Sequence, residues 1–223
     1  MSLAIFDLDN TLLADDSDYL WGRFLVEQGI VDGAAYEREN QQFYDDYRAG
    51  TLDIQAFLAF MLRPLAEHPL EQLLTWRAQF IKDKIRPILL PKAMELLARH
   101  RAAGDTLLII TATNRFLTAP IAELLDVPHL LATEVEFAAG RYTGRSVGIP
   151  CFQRGKVERL GAWLAETGHT LDESWFYSDS HNDLPLLGQV SYPVAVDPDA
   201  TLAEHAQERG WPIISLREAL PNP

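Results

Sequence analysis

The stretch Leu3-Ala4-Ile5-Phe6-Asp7-Leu8-Asp9-Asn10-Thr11 decides the fold of this chain. Four apolar residues running straight into acids describe a buried parallel strand whose carboxyl end carries polar chemistry. Side chains on an extended backbone repeat with period two, so Asp7 and Asp9 point the same way and can face one reaction centre. An acid after a strand is also a common turn or cap residue. Asp7 alone leaves both readings open, and the residues further along must decide.

The same pattern recurs downstream. Residues 106–110 (TLLII) form an apolar run followed by Thr111, and 174–177 (SWFY) precede Ser178 and Asp179. Residues 192–196 (YPVAV) are closed by Asp197 and Pro198, and 212–215 (PIIS) read as a short edge element. Between these runs lie helical patterns at 91–103 with Gly104 as C-cap, at 115–125 after an Asn114 cap, at 155–167 and at 184–190. Residues 139–142 (AGRY) read as a hairpin turn. Strands alternating with helices of this length predict an α/β fold, a doubly wound parallel sheet with sites beyond the carboxyl ends of its strands.

Residues 17–85 break the alternation with four helical patterns, around Tyr19–Leu25, around Tyr36–Tyr47, around Ile54–Leu62, and at 70–84. Gly29, Gly33, Gly50, Pro64 and Pro69 punctuate them. This predicts an all-helical insertion at 15–85, a lid over the first strand's end, with the core formed by 1–14 and 86–223. Trp21, Phe57, Phe60 and Trp76 are expected to pack the insertion's own helices.

Composition narrows the function classes. With 19 basic against 32 acidic residues the net charge is −13, which repels a nucleic-acid backbone. A local lysine or a metal can still reverse the field inside a pocket. The single cysteine, Cys151, excludes an intrachain disulfide, and a reducing cytoplasm is the default expectation. The start lacks the basic and long apolar run of a signal peptide. No apolar stretch approaches the roughly 18 residues of a membrane span, so no membrane partner is expected. Oligomeric state is left open.

A second acidic cluster, Asp179-Ser180-His181-Asn182-Asp183, again follows a strand and offers oxygen ligands to a hard cation. Thr111 supplies a hydroxyl and Lys156, at a helix start, a fixed positive charge. Simpler roles exist for each: Thr111 can merely end its strand, Lys156 can be solvated with Arg154 in its place, and Asp183 can cap the next helix. His181 is read as a non-ligand because a hard ion does not need imidazole. The remaining histidines show no metal-ligand spacing.

Together, Asp7-Leu8-Asp9-Asn10-Thr11, Thr111, Lys156 and the 179–183 cluster, in that order, make the chain resemble the haloacid dehalogenase superfamily of phosphatases. The helical insertion is similar to that of its subfamily IB, the phosphoserine phosphatase-like branch. The resemblance implies a phosphoric monoester hydrolase in which Asp7 attacks phosphorus and forms a phospho-aspartyl intermediate. Asp9 acts as general acid, then general base. Magnesium is held by the Asp7 and Asp179 carboxylates and the Asp9 carbonyl. Thr111 and Lys156 hold the phosphoryl oxygens, with Ala112 and Asn114 in the same substrate-binding motif, and Asn182 and Asp183 orient the metal's waters or Lys156.

Asp16 falls where phosphoserine phosphatases carry a glutamate that binds the substrate ammonium, although acids capping the next helix explain the same run. Two departures weaken phosphoserine itself. Those enzymes bind the substrate carboxylate with an arginine in the third cap helix, where residues 57–62 (FLAFML) are apolar until Arg63, and paired glycines follow their second-motif hydroxyl, where this chain has Ala112 and Thr113. A buried carboxylate without a partner costs several kcal/mol. A phosphorylated amino alcohol without a carboxylate, such as histidinol phosphate, is therefore the leading expectation. Phosphoserine, a phosphotransferase or mutase using the same aspartyl phosphate, and a non-catalytic binding module are the alternatives.

Overall fold

The computed structural model describes residues 2–217. Its strands are β1 (Leu3–Phe6), β2 (Thr106–Asn114), β3 (His129–Ala138), β4 (Arg141–Val147), β5 (Trp175–Ser178), β6 (Tyr192–Val196) and β7 (Ile213–Ile214). They form one sheet ordered β4-β3-β2-β1-β5-β6-β7, parallel throughout except for the antiparallel β3–β4 pair. The fold is thus α/β and doubly wound. Both faces are covered, as period two requires: Ala4 and Phe6 join one apolar cluster, while Leu3 and Ile5 join the other with Leu160, Leu186 and Leu202.

The helices between core strands are α5 (Pro91–Ala103), α6 (Arg115–Leu124), α7 (Arg154–Thr167), α8 (Leu184–Leu187) and α9 (Ala200–Arg209), and α1 (Ser17–Glu27), α2 (Gly33–Ala49), α3 (Ile54–Glu67) and α4 (Leu70–Phe80) form the insertion. Its base shares the core. Trp21 of α1 stacks on Phe24 and meets Phe80 of α4 and Phe116 of α6 edge-on, with centroids 5.1–6.1 Å apart. Trp21 therefore packs the insertion against the core, not only the insertion's own helices as the sequence suggested. Phe60 meets Tyr36 and Phe43, and Trp76 meets His68, within the insertion.

Four expectations need correction. Pro64 does not separate helices but lies inside α3. An interior proline costs about 3 kcal/mol, and burial of Leu58, Met61, Leu62 and Leu65 on the same helix, at roughly 1.5–3 kcal/mol each, outweighs it. The pattern at 70–84 is not one α-helix: α4 ends at Phe80 and widens into a π turn, Ile81–Ile85, then a 3₁₀ turn, Arg86–Ile88, containing Pro87. Strand β2 runs past Ile110 to Asn114, since its neighbour β3 pairs Thr133 with Asn114. Finally, α8 stops at Leu187 because Gly188 caps it.

Glycine 155, in the first turn of α7, is required by a close approach: a Cβ there would lie 2.0 Å from the Pro150 carbonyl oxygen. Backbone cannot yield cheaply, so Gly155→Ala is expected to lower stability by about 3 kcal/mol. Displacing Lys156 beside it should cut kcat/KM by on the order of 100-fold. Gly161→Ala on the same helix meets nothing within 4 Å and should stabilise by up to about 1 kcal/mol. Thermal melts and kinetics of the two variants check this; equal behaviour would refute the clash. No helix among the described residues is long and apolar enough to cross a membrane.

Candidate active site

The carboxyl ends of β1, β2 and β5 meet the insertion at one cavity, lined by Asp7, Asp9, Asp16, Thr111, Ala112, Lys156 and Asp183 among others. Asp7 follows β1, whose ladder continues one bond further from the Asp7 N–H to the Tyr177 carbonyl (2.9 Å). Lys156, in the first turn of α7, donates to Asp7 Oδ1 and Asp183 Oδ2, both at 2.7 Å, and is 3% exposed. Arg154, the possible substitute, is exposed. Just before α7, Gln153 adopts φ +48° and ψ −117°, a positive-φ conformation that is strained for a side-chain-bearing residue. Its amide donates to Asn182 Oδ1 (2.9 Å), so a strained turn fixes where Lys156 emerges.

Asp9 is held by two donors, the Ser17 N–H at 2.7 Å and the Thr113 hydroxyl at 2.8 Å. The Ser178 hydroxyl donates to Asp183 Oδ2 at 2.7 Å, so Asp183 is a buried brace for Lys156. Asp179 lines an adjoining cavity with Tyr44 and Tyr47. The Thr11 hydroxyl joins it to Asp7, lying 3.1 Å from Asp179 Oδ1 and 3.5 Å from Asp7 Oδ2. Asn114 and Asn182 do not line the main cavity. The Asn114 side-chain Oδ1 accepts from the Leu117 N–H and so caps α6, while its Nδ2 donates to Asp18 Oδ1 (3.1 Å). The Asn182 amide donates to the Tyr47 carbonyl of the insertion (3.1 Å). His181 pairs with Asp199 (2.8 Å) and lies against Gly50.

Burial dominates the electrostatics. It pushes Asp7 up to about 7, an effect that the Lys156 charge partly offsets. Burial also raises Asp179 well above the carboxylate range, reinforced by Asp7 and Asp183. Burial works against the Lys156 charge, but Asp183 and Asp7 more than compensate and hold the ammonium above its usual range. Asp16 is raised well above its usual value by burial and the nearby Asp9, and Asp18 to about 8 by the same two causes.

Asp18, Thr113 and Asn40 line the cavity but escaped the sequence reading. Thr113 was findable, two residues on from Thr111 at a strand end. Asp18, two residues beyond Asp16, carried a weaker version of the same signal. Asn40, from the middle of α2, carried none. Aromatic residues Phe43, Tyr44, Phe57 and Phe152 supply much of the remaining wall.

A metal would find oxygen donors here. Among the described residues no three His, Cys, Asp or Glu side chains gather closely enough to hold one by themselves. The set implied by the resemblance needs only two carboxylates, Asp7 and Asp179, with the Asp9 main-chain carbonyl as a further donor. Those two carboxylates lie one hydroxyl apart at Thr11, and both are raised by burial, the condition a hard divalent cation relieves. The residues present therefore fit magnesium.

The family model for haloacid dehalogenase-like hydrolases matches residues 4–188. A Neisseria meningitidis serogroup C (strain 8013) protein named histidinol-phosphatase is 46% identical over 220 residues, covering 97% of this chain and 99% of that protein. A Mycobacterium tuberculosis (strain ATCC 25618 / H37Rv) protein named phosphoserine phosphatase SerB1 is 33% identical over 226 residues, 97% of this chain and 71% of that protein. A solved structure described as a protein with unknown function from Bordetella pertussis Tohama I matches with TM-score 0.91 at 47% identity, covering 96% of this chain and 98% of that one.

Proposed function

The chain belongs to the haloacid dehalogenase-like hydrolases and is a phosphatase, and from that premise we propose that it hydrolyses a small amine-bearing phosphomonoester, with histidinol phosphate as the leading substrate, through a phospho-aspartyl intermediate on Asp7. The observation that carries the mechanism is the buried Lys156 ammonium held between Asp7 and Asp183 at 2.7 Å from each. It fixes the nucleophile and leaves a positive charge where phosphoryl oxygens gather.

An Asp7 oxygen attacks phosphorus, forming the P–O bond to the carboxylate as the ester P–O bond breaks. Asp9 gives its proton to the departing alkoxide, and then takes one from the water that cleaves the acyl phosphate. Thr113 and the Ser17 N–H keep Asp9 oriented for both steps. Thr111, Ala112 and Lys156 bind the phosphoryl group, and Asn182 and Asp183 position the loop and the lysine. Magnesium, when bound by Asp7, Asp179 and the Asp9 carbonyl, supplies charge neutralisation between nucleophile and substrate. Residues 15–85 act as the cap over a core of 1–14 and 86–223, and the enzyme works in a reducing cytoplasm.

Substrate preference follows from the wall. Lys156 is the one cation among the described residues lining the cavity, and it is engaged by two carboxylates. Arg63 turns instead over the Phe60 ring, 5.8 Å from its centroid. A substrate carboxylate would lack a partner, whereas an ammonium meets Asp16. The relative named histidinol-phosphatase supports this reading, and the one named phosphoserine phosphatase favours phosphoserine as the second. Phosphate release from histidinol phosphate, phosphoserine and phosphoethanolamine, with magnesium and after chelation, tests it. Histidinol phosphate is expected to exceed phosphoserine at least about tenfold in kcat/KM, the scale of one unpaired buried charge. A preference for phosphoserine, or full activity after chelation, overturns it.

A further inference from the structure

We propose that Asp18 is a specificity-determining residue that receives a second basic nitrogen of the substrate, beside the ammonium taken by Asp16. The inference rests on the reading of Asp16 above and extends it to a ligand class: phosphomonoesters carrying an amine and a separate nitrogen-bearing ring.

The cavity's acids are not balanced by its cations. Asp7 and Asp183 share Lys156, and among the described residues neither Asp16 nor Asp18 forms an ion pair. Asp18 is only 6% exposed and still lines the cavity. Its hydrogen-bond partner is neutral, the Asn114 amide at 3.1 Å on Oδ1. Asn114 is itself locked as the cap of α6, so the carboxyl group is held in place with no cationic partner. Ionising a carboxyl group buried this way costs several kcal/mol unless a ligand supplies the missing positive charge or N–H donor.

The surroundings suit a flat ring. Phe43 and Phe57 stand edge to face at 5.5 Å and both line the same cavity, offering apolar and π surface to an aromatic ligand. Asn40, 3% exposed, adds an amide on the same wall and is fixed by donating to the Tyr19 carbonyl (3.1 Å). Gly22 makes room for it, because a Cβ there would fall 2.6 Å from Asn40 Nδ2. An imidazole ring is the simplest group with one nitrogen to donate and another to accept.

The test measures competitive inhibition of p-nitrophenyl phosphate hydrolysis by L-histidinol, with two basic nitrogens, and L-phenylalaninol, with one amine and an apolar ring. In the wild-type holoenzyme histidinol is expected to inhibit at least about tenfold more strongly, the scale of one charge-assisted hydrogen bond. Asp18→Asn should bring the two inhibition constants within about threefold of each other, an effect on the ratio that a merely structural role would not produce. Asp18→Ser serves if the amide variant does not fold. No discrimination in the wild type, or discrimination surviving both substitutions, overturns the assignment. If histidinol phosphate proves not to be turned over while Asp18-dependent discrimination holds, the assignment stands and the substrate reading above falls.

Discussion

Asp7→Asn is expected to reduce kcat by at least about 10⁴-fold, because an amide oxygen cannot form the acyl phosphate and the remaining groups only bind and orient. A loss of that size corresponds to roughly 5.5 kcal/mol of barrier. The fold should not suffer. In the native protein burial already pushes the Asp7 carboxyl up to about 7, a sign that its charge is held at a cost, and the amide carries none. Lys156 keeps Asp183 as its partner at 2.7 Å. A thermal melt of Asp7→Asn should therefore give a midpoint no lower than wild type, beside the kinetic loss. Residual turnover above about 1% of wild type would remove Asp7 from the nucleophile's role.

Lys156→Met should lose both activity and stability, and its partners separate the two. Removing one side of a buried, hydrogen-bonded ion pair costs about 3–5 kcal/mol, which for a chain of this size corresponds to roughly 6–20 °C in the melting midpoint. Turnover should fall by at least about 10³-fold, since the phosphoryl oxygens lose their fixed cation. Adding Asp183→Asn to Lys156→Met removes one stranded carboxylate and should recover part of the lost stability while restoring no activity. If the double variant is as unstable as the single one, charge burial is not what Lys156 relieves.

Much of this arrangement was legible in the sequence because it depends on local rules. Asp7 and Asp9 do face one cavity beyond β1, although Asp9 lies in the turn after the strand rather than on extended backbone, and Gly104 ended α5 where the sequence indicated, at φ +82°. The apolar runs located β1 and β6 to the residue. What escaped depends on tertiary packing. Pro64 reads locally as a break, and only the buried face of α3 explains why the helix continues. The first half of β3, His129–Leu131, pairs with β2, yet it is short and follows Pro128, so nothing local marks it as a sheet strand. At the site, residues at strand ends could be read, but Asn40 and Asp18 reach the cavity only because the insertion folds back over it.

The stacked and edge-on rings of Trp21, Phe24, Phe80 and Phe116 run without interruption from the insertion's first and last helices onto α6. Excising residues 15–85 would strip three of those four rings and leave Phe116 facing water. The segment proposed to select the ligand is therefore also a structural stave of the side-chain cluster beneath it, and replacing it would require rebuilding that seam.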